Sequence, residues 1–239
     1  AIMKIVTSVS SKPNRISIKG NVFTIIKHIE GSKEQYKKEH KLNVVFIEQA
    51  SEPSRTYYDM PYDEKVKVLP RCWSSNGKTP DRNVHKPMSN VCMNCEQNIM
   101  GSGKGNSKAC KYNWRTAVVL DHALSEDIFR LTLPPTSIFG KGDLDKRPFK
   151  AYKKFLIEGG LPINKIVTEL KFDWDYPVPK LYFKPIRALT EDEYFLVNRR
   201  RSEPEVTSCV TLNFEEMRKE DLRKSKQEYK KLAQVMGIN

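Results

Sequence analysis

The sequence predicts a mainly β, α+β protein, and three observations predict it. Short runs rich in Val, Ile, Phe and Tyr recur along the chain, separated by Gly, Ser and Pro. A compact amphipathic helix breaks the run of strands. A long polar stretch, Leu69 to Cys110, has no apolar period yet holds four of the five cysteines.

RISIKGNVFTIIKH (15–28) and LNVVFIEQA (42–50) read as strands joined by the charged linker EGSKEQYKKEHK, and RTYYDM (55–60) continues the pattern. Strand-like sequence returns at WRTAVVL (114–120) and IFRLTLP (128–134). In PFKAYKKFLIE (148–158) the spacing puts Phe149, Tyr152, Phe155 and Leu156 on one helical face, with Pro148 early and Gly159-Gly160 as the stop. INKIVTELKFDWD (163–175) and KLYFKPIRAL (180–189) read as strands around a YPVP turn, and Thr190 with Glu193 as a capping box that opens a helix over 190–200. VTSCVTL reads as a short strand, and a charged helix is expected from about Asn213 to Met236. These elements suggest one domain over residues 1–205, with an insertion at about 69–112, and a helical extension over 206–239.

The 239 residues carry 42 Lys+Arg against 29 Asp+Glu, a formal charge of +13, which favours polyanionic partners, nucleic acid before a membrane surface. No apolar run approaches the roughly 20 residues of a membrane span, and no secretory signal is present. The expectation is a soluble, intracellular protein with no membrane partner. An odd number of clustered cysteines argues for reduced thiols and against a disulfide framework.

Cys92 to Cys110, CMNCEQNIMGSGKGNSKAC, poses a choice between a phosphate loop and a metal site. A Walker loop needs Gly, four residues, then Gly-Lys-Ser/Thr; here Gly105 follows Gly103-Lys104 and Asn98 stands five before Gly103, so the motif fails at both ends. Structural zinc takes four sulfur or imidazole ligands, often with a Cys-x-x-Cys knuckle. Cys92 and Cys95 supply the knuckle, with Cys72 upstream and Cys110 downstream; His85 is an alternative fourth ligand, and Cys209 is read as a buried thiol. Four cysteines in a polar segment fit a structural metal better than inert core thiols. The deaminase pattern of His-x-Glu with Pro-Cys-x-x-Cys is incomplete, because Asn90-Val91 precede Cys92, and no His-Glu-x-x-His occurs, which argues against metal-dependent catalysis.

Lys104, Lys108, Lys111 and Arg115 fall in an acid-free run beside Tyr112 and Trp114. Basic charge neutralises phosphates and aromatic faces stack on unpaired bases, so this mixture suits a single strand. Arg71 adds charge near Cys72, and Phe46, Tyr57, Tyr58 and Trp73 are further stacking candidates. In a regular strand Tyr57 and Tyr58 point opposite ways.

RCWSSNGKTPD (71–81), VCMNCEQNIMGSGKGNSKACKYNWRTAVVL (91–120), LPPTS (133–137), FKAYKKFLIEGGLPINKIVTELKFD (149–173) and PKLYFKPIRALTEDE (179–193) together resemble the single-stranded DNA-binding proteins of tailed phages. The resemblance implies an OB-like β-barrel with a zinc-bearing insertion and a groove for single strands. It makes Cys72, Cys92, Cys95 and Cys110 the metal ligands and places Lys108, Lys111 and Arg115 on the basic face. One departure is Glu96, which follows the knuckle where that family commonly has proline. The expected function is sequence-tolerant binding of single-stranded DNA, or of RNA, in phage replication or recombination in the cytoplasm of a bacterial host. No catalysis is expected, and the C-terminal segment is available to replication proteins. The competing expectations are a zinc-ribbon module that binds a protein of a replication or transcription complex and, behind it, a zinc-dependent nucleic-acid-modifying enzyme.

Overall fold

The computed structural model describes residues 13–28, 35–60, 69–143 and 145–214. The chain divides into two compact units, residues 1–50 with 113–210 and residues 51–112 with 211–239.

The larger unit is mainly β. Its strands are β1 (Arg15–Ser17), β2 (Phe23–Lys27), β3 (Gln35–Glu39) and β4 (Lys41–Gln49). The smaller unit contributes β5 (Ser54–Tyr57) and β6 (Cys72–Ser74), and β7 (Lys111–Leu120) then leads back into the larger one. β8 (Phe129–Leu133), β9 (Ile166–Phe172) and β10 (Leu181–Ala188) complete a sheet of order β10-β9-β4-β7-β8-β1-β2-β3. Its pairings are antiparallel except β1 with β8, which is parallel.

This mixed sheet curls into a half-barrel. Phe23 of β2 and Phe172 of β9 lie five strand steps apart along the sheet, a span of about 24 Å if it were flat, yet their rings are 4.4 Å apart. Curvature alone closes that gap. Helix α1 (Pro135–Ile138) and helix α2 (Phe149–Glu158) follow β8. Phe149 of α2 packs on Phe46 of β4, Trp114 of β7 and Phe183 of β10, with ring centroids 5.3, 5.2 and 5.2 Å away. Tyr152, one turn on, shares a hydrogen bond of 2.8 Å with Thr168 of β9, so a buried hydroxyl pair is mutually satisfied. On the opposite face Val45, Ile47, Ala117, Val119 and Val167 form a cluster with Val197 of α3 (Glu191–Arg199) and Val206 and Cys209 of α4 (Pro204–Val210). Both faces are apolar because both are covered.

The predicted strands over 42–50, 114–120, 128–134 and 180–189 match β4, β7, β8 and β10, and the predicted helix over 148–158 matches α2. Phe155 departs from its expected face and is exposed beneath Arg147. Residues 15–28 form two strands, because Gly20 and Asn21 at φ 72° and 55° reverse the chain between them. Part of the charged linker forms β3, at an edge of the sheet where lysines discourage further pairing. VTSCVTL is not a strand: Pro204 opens α4, and helical spacing puts Val206 and Cys209 into the core. The expected helix beyond Asn213 lies outside the described residues after Phe214. Among the described residues, no helix is long and apolar enough to cross a membrane.

The capping box is formed. The Glu193 backbone N–H donates to Thr190 Oγ1 at 3.3 Å, and the Thr190 N–H donates to Glu193 Oε2 at 2.9 Å. Arg187 clamps the same carboxylate, and this hydrogen bond, ahead of the one from Thr190, pulls Glu193 down to about 2. The stabilisation is therefore present above the ordinary glutamate range and lost as the pH falls towards the folded value. Glu193→Gln is expected to cost about 0.5–1 kcal/mol at neutral pH, a screened surface contribution. Thermal melts should show the gap to the parent narrowing from about pH 5 to about pH 3.

Candidate functional site

In the smaller unit β5 and β6 pair with Arg55 opposite Ser74, Thr56 opposite Trp73 and Tyr57 opposite Cys72. Strand alternation therefore puts Arg55, Tyr57, Cys72 and Ser74 on one face. Downstream, two successive 3-10 turns, Cys92–Asn94 and Glu96–Asn98, carry the knuckle. The Cys92 N–H donates to Lys78 O and the Cys110 N–H to Gln97 O, each at 2.8 Å, which fixes both cysteines by backbone bonds. The glycine-rich segment is an ordered turn. Gly101 and Gly103 donate to Ser107 O, and Ser102 Oγ donates to Ile99 O and accepts from the Ala109 N–H.

Cys72, Cys92, Cys95 and Cys110 all line one cavity of about 20 Å³, together with Arg55, Tyr57 and Ser74. That is room for one water-sized body. Burial pushes the Cys110 thiol up to about 11 and raises Cys92 as well, while the Arg55 charge opposes both shifts. Among the described residues, no three His, Cys, Asp or Glu side chains are grouped so as to hold a metal ion. The cysteines thus surround a shared space without being drawn into a ligand sphere. Exposed His85 is not among the lining residues, so of the expected cysteine and histidine donors only the cysteine sulfurs are offered there. Cys209 is a buried core thiol of the larger unit.

Burial removes three of the expected stacking candidates. Phe46 is 1 % exposed in the aromatic core, Trp114 is 4 % exposed beneath Lys153, and Trp73 is 8 % exposed with its ring edge-on to Phe214. Each fills an apolar cluster because a large ring buries more surface than any neighbour. Tyr57 is half-buried at the cysteine cavity, Tyr58 is exposed, and Tyr112 lies 4.0 Å beneath the Arg55 guanidinium. Lys104 is exposed, Lys108 Nζ donates to Asn98 Oδ1 at 3.1 Å, and Lys111 Nζ donates to Ser107 Oγ at 3.0 Å. Arg71 donates to His85 O and Lys86 O, both at 3.0 Å, and Arg115 is half-buried on β7.

The larger unit holds an arrangement that sequence reading passed over. Lys150 lies 4.9 Å above the Phe139 ring, Arg147 lies 4.0 Å above Phe155, and Lys146 lies 5.8 Å above Tyr182. Lys180 touches Tyr182 and Tyr176 at 5.0 and 4.7 Å, and His40 lies 6.1 Å from Trp174. Trp174 is 64 % exposed. The available signals were the basic run KAYKK and the aromatic turn WDYPVP, which helix and turn chemistry had already explained.

Gly77 has φ +69° and a Cβ there would meet Pro53 O at 2.5 Å, whereas Gly105, at φ +62°, has open space around it. Gly77→Ala is therefore expected to destabilise the smaller unit by on the order of 2 kcal/mol and to speed proteolysis within residues 51–112. Gly105→Ala should cost about 1 kcal/mol and leave the digestion pattern unchanged.

No protein-family model matches the chain, and no curated protein or solved structure matches it either.

Proposed function

We propose that the protein is a non-enzymatic, sequence-tolerant single-stranded DNA-binding protein of a phage replication or recombination system, with a structural zinc ion in its smaller unit. The observation that carries this reading is the set of cations placed against the faces of Phe139, Phe155, Tyr176 and Tyr182, together with the exposed ring of Trp174, on a chain of net charge +13. Lysine and arginine neutralise phosphates, and exposed rings accept bases without reading their edges. Trp174, Tyr176, Phe139 and Phe155 take the stacking role first expected of Phe46, Trp73 and Trp114. The curled sheet is consistent with the OB-type barrel of the phage proteins.

For zinc, the support is the interior of the smaller unit. Its buried apolar side chains, among the described residues, are Pro53, Pro70, Trp73, Val84, Cys92 and Phe214, and its buried polar ones are Ser54, Arg55, Thr56, Ser74 and Asn98. With so little hydrocarbon buried among its described residues, a metal staple would add the cross-linking that a small core lacks. Cys72, Cys92, Cys95 and Cys110 would hold the ion, which supplies cross-links between β6, the knuckle and the start of β7.

A second reading has its own observation. Met88, Val91, Met93, Ile99 and Met100 are exposed around the knuckle, an apolar surface suited to a protein partner.

Anisotropy of labelled DNA and RNA oligonucleotides across a salt series separates the two readings. The nucleic-acid reading expects affinity that falls steeply with salt; no binding at low salt, or salt-indifferent binding, sinks it. Base stacking is worth about 1–3 kcal/mol, so Trp174→Ala should weaken binding by about 5- to 150-fold. Trp73 and Trp114 are buried, so quenching of tryptophan fluorescence by the oligonucleotide should vanish in Trp174→Phe. Elemental analysis of chelator-free protein should find about one zinc per chain, lost in Cys95→Ser.

A further inference from the structure

Arg55 is 2 % exposed. Its Nη1 donates to Asn98 Oδ1 at 2.7 Å, and its Nη2 donates to the Tyr112 hydroxyl and, at 3.5 Å, to Met93 Sδ. Its Nε is buried and has no acceptor among the described residues. Lys108 reaches the same Asn98 Oδ1 at 3.1 Å, so two cations converge on one neutral amide. Neither makes an ion pair with a carboxylate among the described residues.

This is an unfavourable arrangement as it stands. Removing a guanidinium from water is costly unless a counter-charge and full hydrogen bonding offset it. The Tyr112 face offsets part of that cost. A methionine or leucine at this position would fill the space without the penalty. The chain instead places a permanent charge and an unused donor at the wall of the cavity that the four cysteines line. A divalent ion held by four thiolates carries a net charge of −2, the sign and size that two nearby cations match.

We propose that Arg55 and Lys108 form a cationic shell that balances an all-thiolate, divalent metal centre, with Arg55 Nε–H as the donor available to a ligand sulfur. This rests on the zinc reading above and deepens it: the site selects a thiophilic divalent cation bound by four sulfurs, and His85 takes no part. Both residues act through the ligands and are positioning residues.

The test is competition for zinc between the full-length protein and a chromophoric chelator, repeated with cobalt, whose sulfur-to-metal absorption reports the ligand set. Arg55→Met is expected to weaken zinc binding by about 10- to 100-fold, the usual effect of removing an outer-shell partner, and Arg55→Lys to recover part of the loss. Lys108 is only half-buried, so Lys108→Met and Lys108→Glu keep the proposal decidable if Arg55→Met does not fold. The expected order of affinity is parent, Lys108→Met, then Lys108→Glu, with an unchanged four-sulfur cobalt spectrum. Equal affinities across the Lys108 series, or Arg55→Lys binding as weakly as a folded Arg55→Met, overturns the proposal. A parent protein that binds neither metal overturns the zinc reading itself, and with it this one.

Discussion

A buried positive charge with no carboxylate beside it among the described residues constrains the interior of the smaller unit. Arg55 lies between the Tyr112 ring and the cysteine cavity, and Asn98, Tyr112 and Met93 are arranged to take its donors. Asn98 in turn donates to Met93 O at 3.2 Å, and its own N–H donates to Cys95 O at 2.8 Å. One side-chain amide therefore links the guanidinium to the knuckle. The polar interior forms a connected network, and a network of that kind is stabilising only when its charge is answered. On the reading proposed here, metal-bound thiolates answer it.

The larger unit is held by the opposite means. Its sheet curls until Phe23 meets Phe172, and α2 fills the concave face with Phe149, Tyr152 and Leu156. Because the core consumes one side of α2, the other side is free to present Lys150, Lys153 and Lys154, next to the basic segment Lys146–Arg147. Stability and charge are thus assigned to different faces of the same helix. The hairpin of β9 and β10 does the same with rings: Phe172 and Phe183 point into the core, while Trp174 and Tyr176 lie on the exposed turn between the strands.

Where a residue's neighbours in sequence decide its place, the sequence was legible. Runs of β-branched and aromatic residues identified β4, β7, β8 and β10, the i, i+3, i+4 spacing identified α2, and Thr190 with Glu193 identified the start of α3. The cysteines were legible as a group because four thiols in a polar segment have no apolar reason to be there, and the cavity they share agrees with that grouping. The failures have one physical cause, competition settled by tertiary contacts. Trp114 sits in a basic, aromatic run that looks like a binding surface, but Phe149 takes its ring and Ala50 O accepts its indole N–H at 2.8 Å. VTSCVTL has strand propensity, but Val206 and Cys209 reach the core only from a helix. Arg55 was hidden in a short strand whose tyrosines drew attention, since nothing in RTYYDM signals that the arginine faces inward.

The central claim of the proposed zinc reading is that a metal, and not hydrocarbon burial, orders the described residues of the smaller unit. Hydrogen exchange of the full chain, zinc-loaded and after exhaustive chelation, tests it most directly. The account predicts that amides of the smaller unit, those of Cys92, Asn98, Gly103 and Cys110 above all, lose protection when zinc is removed, while those of β4, β7 from Trp114 onward, and β9 keep theirs. Protection of the smaller unit that is the same with and without metal would contradict it.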